Sequence, residues 1–281
     1  MIETDQNGII LDGALVGVPG VVCRPPASHG GPSTNALDPG DYRPRTTWIR
    51  QIIVHTTKGI WPQPIRAGKG AGGEGARVAD FWRGDPAHSA AALVVDTAGV
   101  VDCLCDLARI APWHAETSSQ WSVGIEMYQL ASGAIYAAQI EATALLVDAL
   151  AARLGIPQWY PRGPYRGAPL RRMEVGTGAE RRQSGGPDVL GCLGHRNNTE
   201  RRGRGDPGDE IFRALAALGW RGVDYDGGED LAIGRVWQAR LNALDARAGL
   251  TWRPLVVDGV CGPASLAAMR RRGFARWRDV A

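Results

Sequence analysis

Five histidines stand in the 281-residue chain: His29, His55, His88, His114 and His195. Two of them have the placement that metal chemistry needs. His55 closes the apolar run Gln51-Ile52-Ile53-Val54, and His195 follows Leu190–Leu193 and Gly194. In an open sheet, side chains at the carboxyl ends of strands converge on one crevice. An Arg- and Gly-rich loop then leads from His195 to Asp206-Pro207-Gly208. Two imidazoles and one carboxylate, with a fourth position left open, form a catalytic zinc set. The competing reading of any one of these histidines is a hydrogen-bonded core residue, a common role for imidazole.

Glu126 is a further candidate. In Ser122-Val123-Gly124-Ile125-Glu126-Met127 it lies out of phase with Val123 and Ile125, hence on the opposite face of a strand. A carboxylate in an apolar strand is costly unless it is paired or employed. Beside a zinc ion it would serve as general base. The alternative is that its face is simply the solvated one.

The elements that must hold these residues follow from periodicity. Gln51–His55 and Ser122–Tyr128 read as strands. Ala90–Val95 and Val100–Leu104 flank the turn signal Asp96-Thr97-Ala98-Gly99 and read as a hairpin, and Leu190–Leu193 is a last short strand. Ile140, Ala144, Val147, Ala151 and Leu154 share one helical face over 138–154, a helix stopped by Gly155-Ile156-Pro157. Residues 47–222 thus alternate strands and helices, the pattern of an α/β domain. Residues 1–46 are Gly/Pro-rich and read as an irregular arm with room for a short hairpin. Residues 157–190 form a long basic loop that could wall a cleft.

Taken in order, Ile53-Val54-His55-Thr56-Thr57, Ala87-His88-Ser89-Ala90, Trp113-His114-Ala115, Ser122–Glu126 and Gly194-His195…Asp206-Pro207-Gly208 form a specific set. It resembles the zinc amidases related to phage lysozyme-amidases and peptidoglycan recognition proteins, over roughly 50–222. The resemblance implies a central mixed β-sheet flanked by helices, and zinc held by His55, His195 and Asp206. It implies Glu126 as the base, because Ala87 stands where other branches carry a catalytic tyrosine. His114 matches a family histidine that lines the cleft, with Trp113 beside it, and Trp121 is a weaker candidate for the same wall. Arg204 occupies the place of a family lysine two residues before the aspartate, and is expected to stabilise the oxyanion. The His195–Asp206 stretch is about one residue longer than in the bacterial anhydro-muropeptide branch, which leaves Asp209 as a second candidate ligand. His88 reads as structural, and His29 has no counterpart.

The C-terminal region reads independently. Val236, Leu241 and Leu244 space as a helix face, and Val257-Asp258-Gly259-Val260-Cys261-Gly262-Pro263 is a turn before a helix at Ser265–Arg272. This resembles the small three-helix peptidoglycan-binding domain, with Gln238, Leu241 and Asn242 matching its first helix. The expected division is therefore an arm at 1–46, a catalytic domain at 47–222, a linker at 223–230 and a small all-α domain at 231–281.

Composition sets the outer limits. Hydrophobic residues at 44% exclude a mostly disordered chain. No uncharged apolar run approaches the roughly 18 residues needed to span a bilayer. Five cysteines, an odd number without zinc-ribbon spacing, speak against a disulfide framework. Only Lys58 and Lys69 are lysines, so arginine supplies almost all of the 32 basic residues. Net charge is +3, and nine arginines against four aspartates give 230–281 a local +5. Such a tail could attract nucleic acid or an anionic wall polymer, but no nucleic-acid motif with interleaved aromatics accompanies it. The acidic start Met1-Ile2-Glu3-Thr4-Asp5 lacks the build of a signal peptide. The expectation is a monomeric zinc amidase cutting between N-acetylmuramic acid and L-alanine, made in the cytoplasm and released by a holin if it is a phage lysin. The alternatives are a metal-free recognition protein and a muropeptide-recycling enzyme. The expected partners are peptidoglycan and muropeptides, with no nucleic acid.

Overall fold

The computed structural model describes residues 7–26, 35–84, 89–162, 174–175, 182–183, 189–198, 202, 204–225, 229–250 and 252–280. Among them, six strands form the central sheet: β1 (Cys23–Arg24), β2 (Gln51–Thr56), β3 (Leu93–Val95), β4 (Val101–Cys103), β5 (Ser122–Met127) and β6 (Gly191–Gly194). Their spatial order is β6-β2-β5-β3-β4-β1. Strands β6, β2, β5 and β3 run parallel, β4 returns antiparallel to β3, and β1 lies parallel to β4. The sheet is therefore mixed, and helices flank it.

Ile52, Ile53 and Val54 have no exposed surface, as expected of an inner strand covered on both faces. The alternation of side chains divides the core in two. On one face Ile52, Val54, Val123, Ile125 and Cys192 pack in one cluster with Leu146, Val147 and Leu150 of helix α2 (Ala137–Leu154) and Ile211, Phe212 and Leu215 of helix α3 (Glu210–Ala217). On the other face Ile53 and Leu193 belong to a second cluster. Helix α1 (Glu74–Arg83) lies against β3 and β4.

Part of the expected N-terminal arm joins the sheet. Ile9–Leu11 and Ala14–Val16 make a hairpin through Asp12 and Gly13, both at positive φ, the backbone a tight hairpin turn demands. Cys23–Arg24 becomes the edge strand β1, tied to β4 by a two-pronged contact of Arg24 with Asp102 at 2.6 and 2.7 Å. A two-residue strand leaves no periodicity to read.

The C-terminal region forms helices α4 (Glu229–Arg247) and α5 (Pro263–Arg271) and a 3₁₀ turn at Trp277–Val280. It packs directly on the α/β body. Trp237 of α4 stacks between Trp159 and Trp277, with ring centroids 5.0 and 5.5 Å apart. Trp277 Nε1 donates to Gly155 O at 2.8 Å, and Arg276 pairs with Asp148 at 3.1 Å. Gly155 ends α2 in the left-handed region, and a Cβ there would also collide with Leu266. All five cysteines are free and buried. No helix among the described residues is long and apolar enough to cross a membrane. The basic stretch 157–190 lies largely outside the described residues.

Candidate functional site

Strand pairing places the first two candidates side by side. His55 on β2 and Glu126 on β5 are register partners across the parallel pair. β6 ends at Gly194, and His195 opens a single helical turn, His195–Asn198. Asp206 returns to the same point from the following loop, where its Oδ1 accepts Thr56 N–H at 2.9 Å. The carbonyl of Gly205 is held by Thr56 Oγ1 and Gln63 Nε2, so this loop end is fixed from two sides. His55 Nδ1 then stands 2.8 Å from His195 Nδ1, which is 3.1 Å from Asp206 Oδ2. One ligand atom from each of the three lies within 4.8 Å of the others, and all three residues are buried.

A chain of hydrogen bonds assigns the proton on His55. The carbonyl of Ser118 can only accept, so Ser122 Oγ, 2.6 Å away, donates to it. His114 Nε2, 3.1 Å from that oxygen, then donates to Ser122. His114 Nδ1 is left to accept from His55 Nε2 at 3.0 Å. His55 therefore presents the lone pair of Nδ1 toward His195 and Asp206. Both rings are held neutral. Burial, then His195 and His114, then Arg202, push His55 well below its usual range, and burial, His195 and Arg45 push His114 to about 3 against the Ser122 contact.

This arrangement fits a metal. His195 Nδ1 has at most one proton to offer, yet it faces two acceptors, the bare Nδ1 of His55 and the carboxylate of Asp206. A divalent cation with a taste for two nitrogens and one oxygen satisfies all three atoms together. Asp209, the other candidate ligand, is instead paired with Arg196 at 2.8 Å and stands outside the convergent group.

The three residues open on a pocket of about 460 Å³ that Glu126, His114 and Trp113 also line. Burial and the charge of Asp206 raise the Glu126 carboxyl well above the usual carboxylate range, against the pull of Arg202. Such a group holds a proton readily once it has taken one. Trp113 is fixed by the Arg43 guanidinium, 4.2 Å above its ring. Gly124 explains how His114 reaches the site: a Cβ on this strand residue would come within 2.5 Å of His114 Cγ. Glycine inside a strand marks such close approaches.

Of the cations that line the pocket, Arg202 stands beside the convergent group, with Nε 3.8 Å from Asp206 Oδ2. Arg204 does not line the pocket, and its backbone carbonyl accepts from Arg196 Nη1 at 2.9 Å. Trp121 likewise stands outside the lining, while Ala87 and His88 lie outside the described residues. Sequence reasoning missed the opposite wall, where α1 supplies Arg77, Val78, Phe81 and Trp82, and missed Lys58 at the rim. Helix α1 carries its apolar residues at helical spacing, Val78, Phe81 and Trp82. That pattern marks a helix without showing that Phe81, 68% exposed, faces a cleft.

Comparison with known proteins places the site in a family. The family described as N-acetylmuramoyl-L-alanine amidase, Amidase_2, matches residues 44–209, a span that holds every residue of the convergent group, Glu126 and His114. No curated protein matches the chain. Among solved structures, the ectodomain complex of peptidoglycan recognition proteins LCa and LCx bound to tracheal cytotoxin is 13% identical, over 71% of this chain and 98% of that one, with a TM-score of 0.42. A selenomethionine derivative of AmpD is 18% identical, over 64% and 98%, at 0.39. The Drosophila peptidoglycan recognition protein SA is 13% identical, over 48% and 74%, at 0.34.

Proposed function

This chain belongs to the N-acetylmuramoyl-L-alanine amidase family, and we propose on that footing that it is a zinc-dependent hydrolase of the amide between N-acetylmuramic acid and L-alanine. The observation that carries the reading is the convergence of His55, His195 and Asp206 at the floor of a pocket that Glu126 also faces. A recognition protein that binds without metal has no use for a complete donor set of this kind.

Zinc held by these three residues would supply Lewis acidity toward the amide carbonyl and toward water. The chain's own groups do the rest. Glu126 takes a proton from the attacking water and passes it to the departing alanine nitrogen, a task suited to a carboxyl whose affinity for protons is raised. The Arg202 guanidinium, beside Asp206 at the pocket, would favour the negative charge of the transition state over the neutral bound substrate. Trp113 and the apolar residues of α1 exclude water and hold the sugar–peptide junction. The exposed outer surface of the C-terminal helices would hold the enzyme on the wall, as a phage endolysin released by a holin requires. The enzyme would work as a monomer.

The test combines metal and base. Purified protein should contain close to one zinc per chain, lose muropeptide hydrolysis to a chelator and regain it with Zn²⁺. Glu126→Gln should keep the zinc and lose about 10²–10⁴-fold in rate, the range for a general acid/base. Full turnover in metal-free protein, or near-parent turnover in Glu126→Gln, overturns the mechanism.

A further inference from the structure

The C-terminal unit lies where the metal-bearing strands need support. Ile53 shares a strand face with His55, two residues on, because side chains alternate along β2. Leu193, on β6, precedes His195 by the same interval, with His195 one residue beyond the strand end. Ile53 and Leu193 belong to one buried cluster with Trp237, Leu241, Met269 and Trp277 of the C-terminal unit. Among the described residues β6 is moreover the edge strand of the sheet, paired in it with β2. Its free side is held by groups that lead to the same unit. Tyr225 Oη–H donates to Leu190 O just before the strand. Gly191 lies so close to the Trp159 carbonyl that a Cβ would collide with it. Trp159 is in turn stacked on Trp237, at 5.0 Å and 20° between planes. A continuous line of packed groups therefore runs from α4 through Trp159 and the edge strand to His195.

We propose that the C-terminal unit is a buttress of the metal site, with Trp237 a positioning residue that acts through Trp159 and Leu193 on His195. The proposal rests on the metal reading above. It departs from the picture of a tethered wall-binding module, whose removal would leave the site untouched. Trp237 does not line the pocket. It holds an edge strand whose last step delivers a ligand, and a displaced ligand binds metal less well even where the fold survives.

The experiment measures zinc affinity by competition with a chromophoric chelator, on full-length parent, Trp237→Ala, Trp237→Phe and, as control, Val236→Ala on the exposed side of the same helix. Trp237→Ala should bind zinc about 10–100-fold more weakly, the range for residues that orient ligands, while its far-UV circular dichroism stays with the parent. Trp237→Phe, which keeps an aromatic plane in the stack, should recover most of the loss, and Val236→Ala should match the parent. Calorimetry of the parent covers the case in which Trp237→Ala does not fold. A single transition that moves upward as a whole with added zinc supports the buttress. Two separated transitions, with only one responding to zinc, overturn it. Equal affinity in Trp237→Ala and parent overturns the buttress and leaves the metal reading standing. A parent that binds no zinc overturns the metal reading and the buttress with it.

Discussion

The proton on His55 is placed by three successive hydrogen bonds, Ser122 to Ser118, His114 to Ser122 and His55 to His114. Removing the middle ring without changing the volume much is the informative cut. In His114→Phe nothing accepts from His55 Nε2, so the tautomer with Nδ1 free loses its support. Zinc affinity should fall about 10–100-fold, read by chelator competition, and an unchanged affinity would mean His114 merely lines the cleft. Arg202 and Arg204 of the loop are separable in the same way. Arg202 stands 3.8 Å from the Asp206 carboxylate at the pocket, whereas Arg204 offers its backbone carbonyl to Arg196. If a cation stabilises the oxyanion from this loop, Arg202→Ala should lower kcat by roughly 10²–10³-fold with little change in KM. Arg204→Ala should be the milder of the two, and the reverse order of severity returns the role to Arg204.

At the scale of elements, the strands that matter most announced themselves. Ile52, Ile53 and Val54 put apolar side chains on both faces of their strand, and Glu126 lies out of phase with Val123 and Ile125, so spacing placed His55 and Glu126 on strands, while their roles came with the ordered set of motifs. Asp206 was legible only through its place in an ordered set of motifs, because a loop residue 11 positions beyond His195 has no periodicity to betray it. The inner role of His114 was not legible at all. It depends on the ring crossing strand β5 at Gly124, and nothing in the chain links residue 114 to residue 124 beyond the absence of a side chain. That absence makes a sharp prediction. In Gly124→Ala the new methyl sits within 2.5 Å of His114 Cγ, against strand backbone that has no freedom to yield. Overpacking of this kind costs about 1–3 kcal/mol, seen in thermal or denaturant unfolding. Zinc affinity should drop with it, because His114 must turn away from His55. A Gly124→Ala protein that matches the parent in both would show that the ring has room elsewhere.

For the whole molecule, the C-terminal unit presents two surfaces with different work. Its inner surface, with Trp237, Met269 and Trp277, is buried against the sheet. That docking escaped the sequence because the partner of Trp237 is Trp159, far away in the chain, and a turn motif followed by a helix says nothing about what the helices pack on. The motif residues themselves hold the unit's outer loop. Asn242 clasps the backbone of Leu255 with two hydrogen bonds of 2.8 and 3.0 Å, and Gln238 accepts from Gly259 N–H at 2.7 Å and donates to Asp258. The loop so pinned carries Trp252 and Val256, 56% and 71% exposed, with the Arg271 guanidinium 4.8 Å over the indole. If these exposed side chains together make a contact surface, the indole would stack on sugar rings.

Deleting the tail cannot test this surface, since the cut would strip the cover from Ile53, Leu193 and Trp159 as well. Replacing the outer residues can. The double variant Trp252→Ala, Val256→Ser should keep the parent's melting temperature and zinc content, because exposed positions contribute little to stability. It should sediment far less with purified cell walls. The salt response then separates the two forces available to a basic unit. Attraction between exposed charges is screened within about 8–10 Å at physiological ionic strength, whereas stacking and apolar contact are not. If Trp252 and Val256 carry the binding, the parent should stay on the walls in high salt and the variant should leave them at any salt. If the parent itself washes off as salt rises and the variant behaves no differently, the nine arginines of 230–281 do the holding and the apolar strip does not.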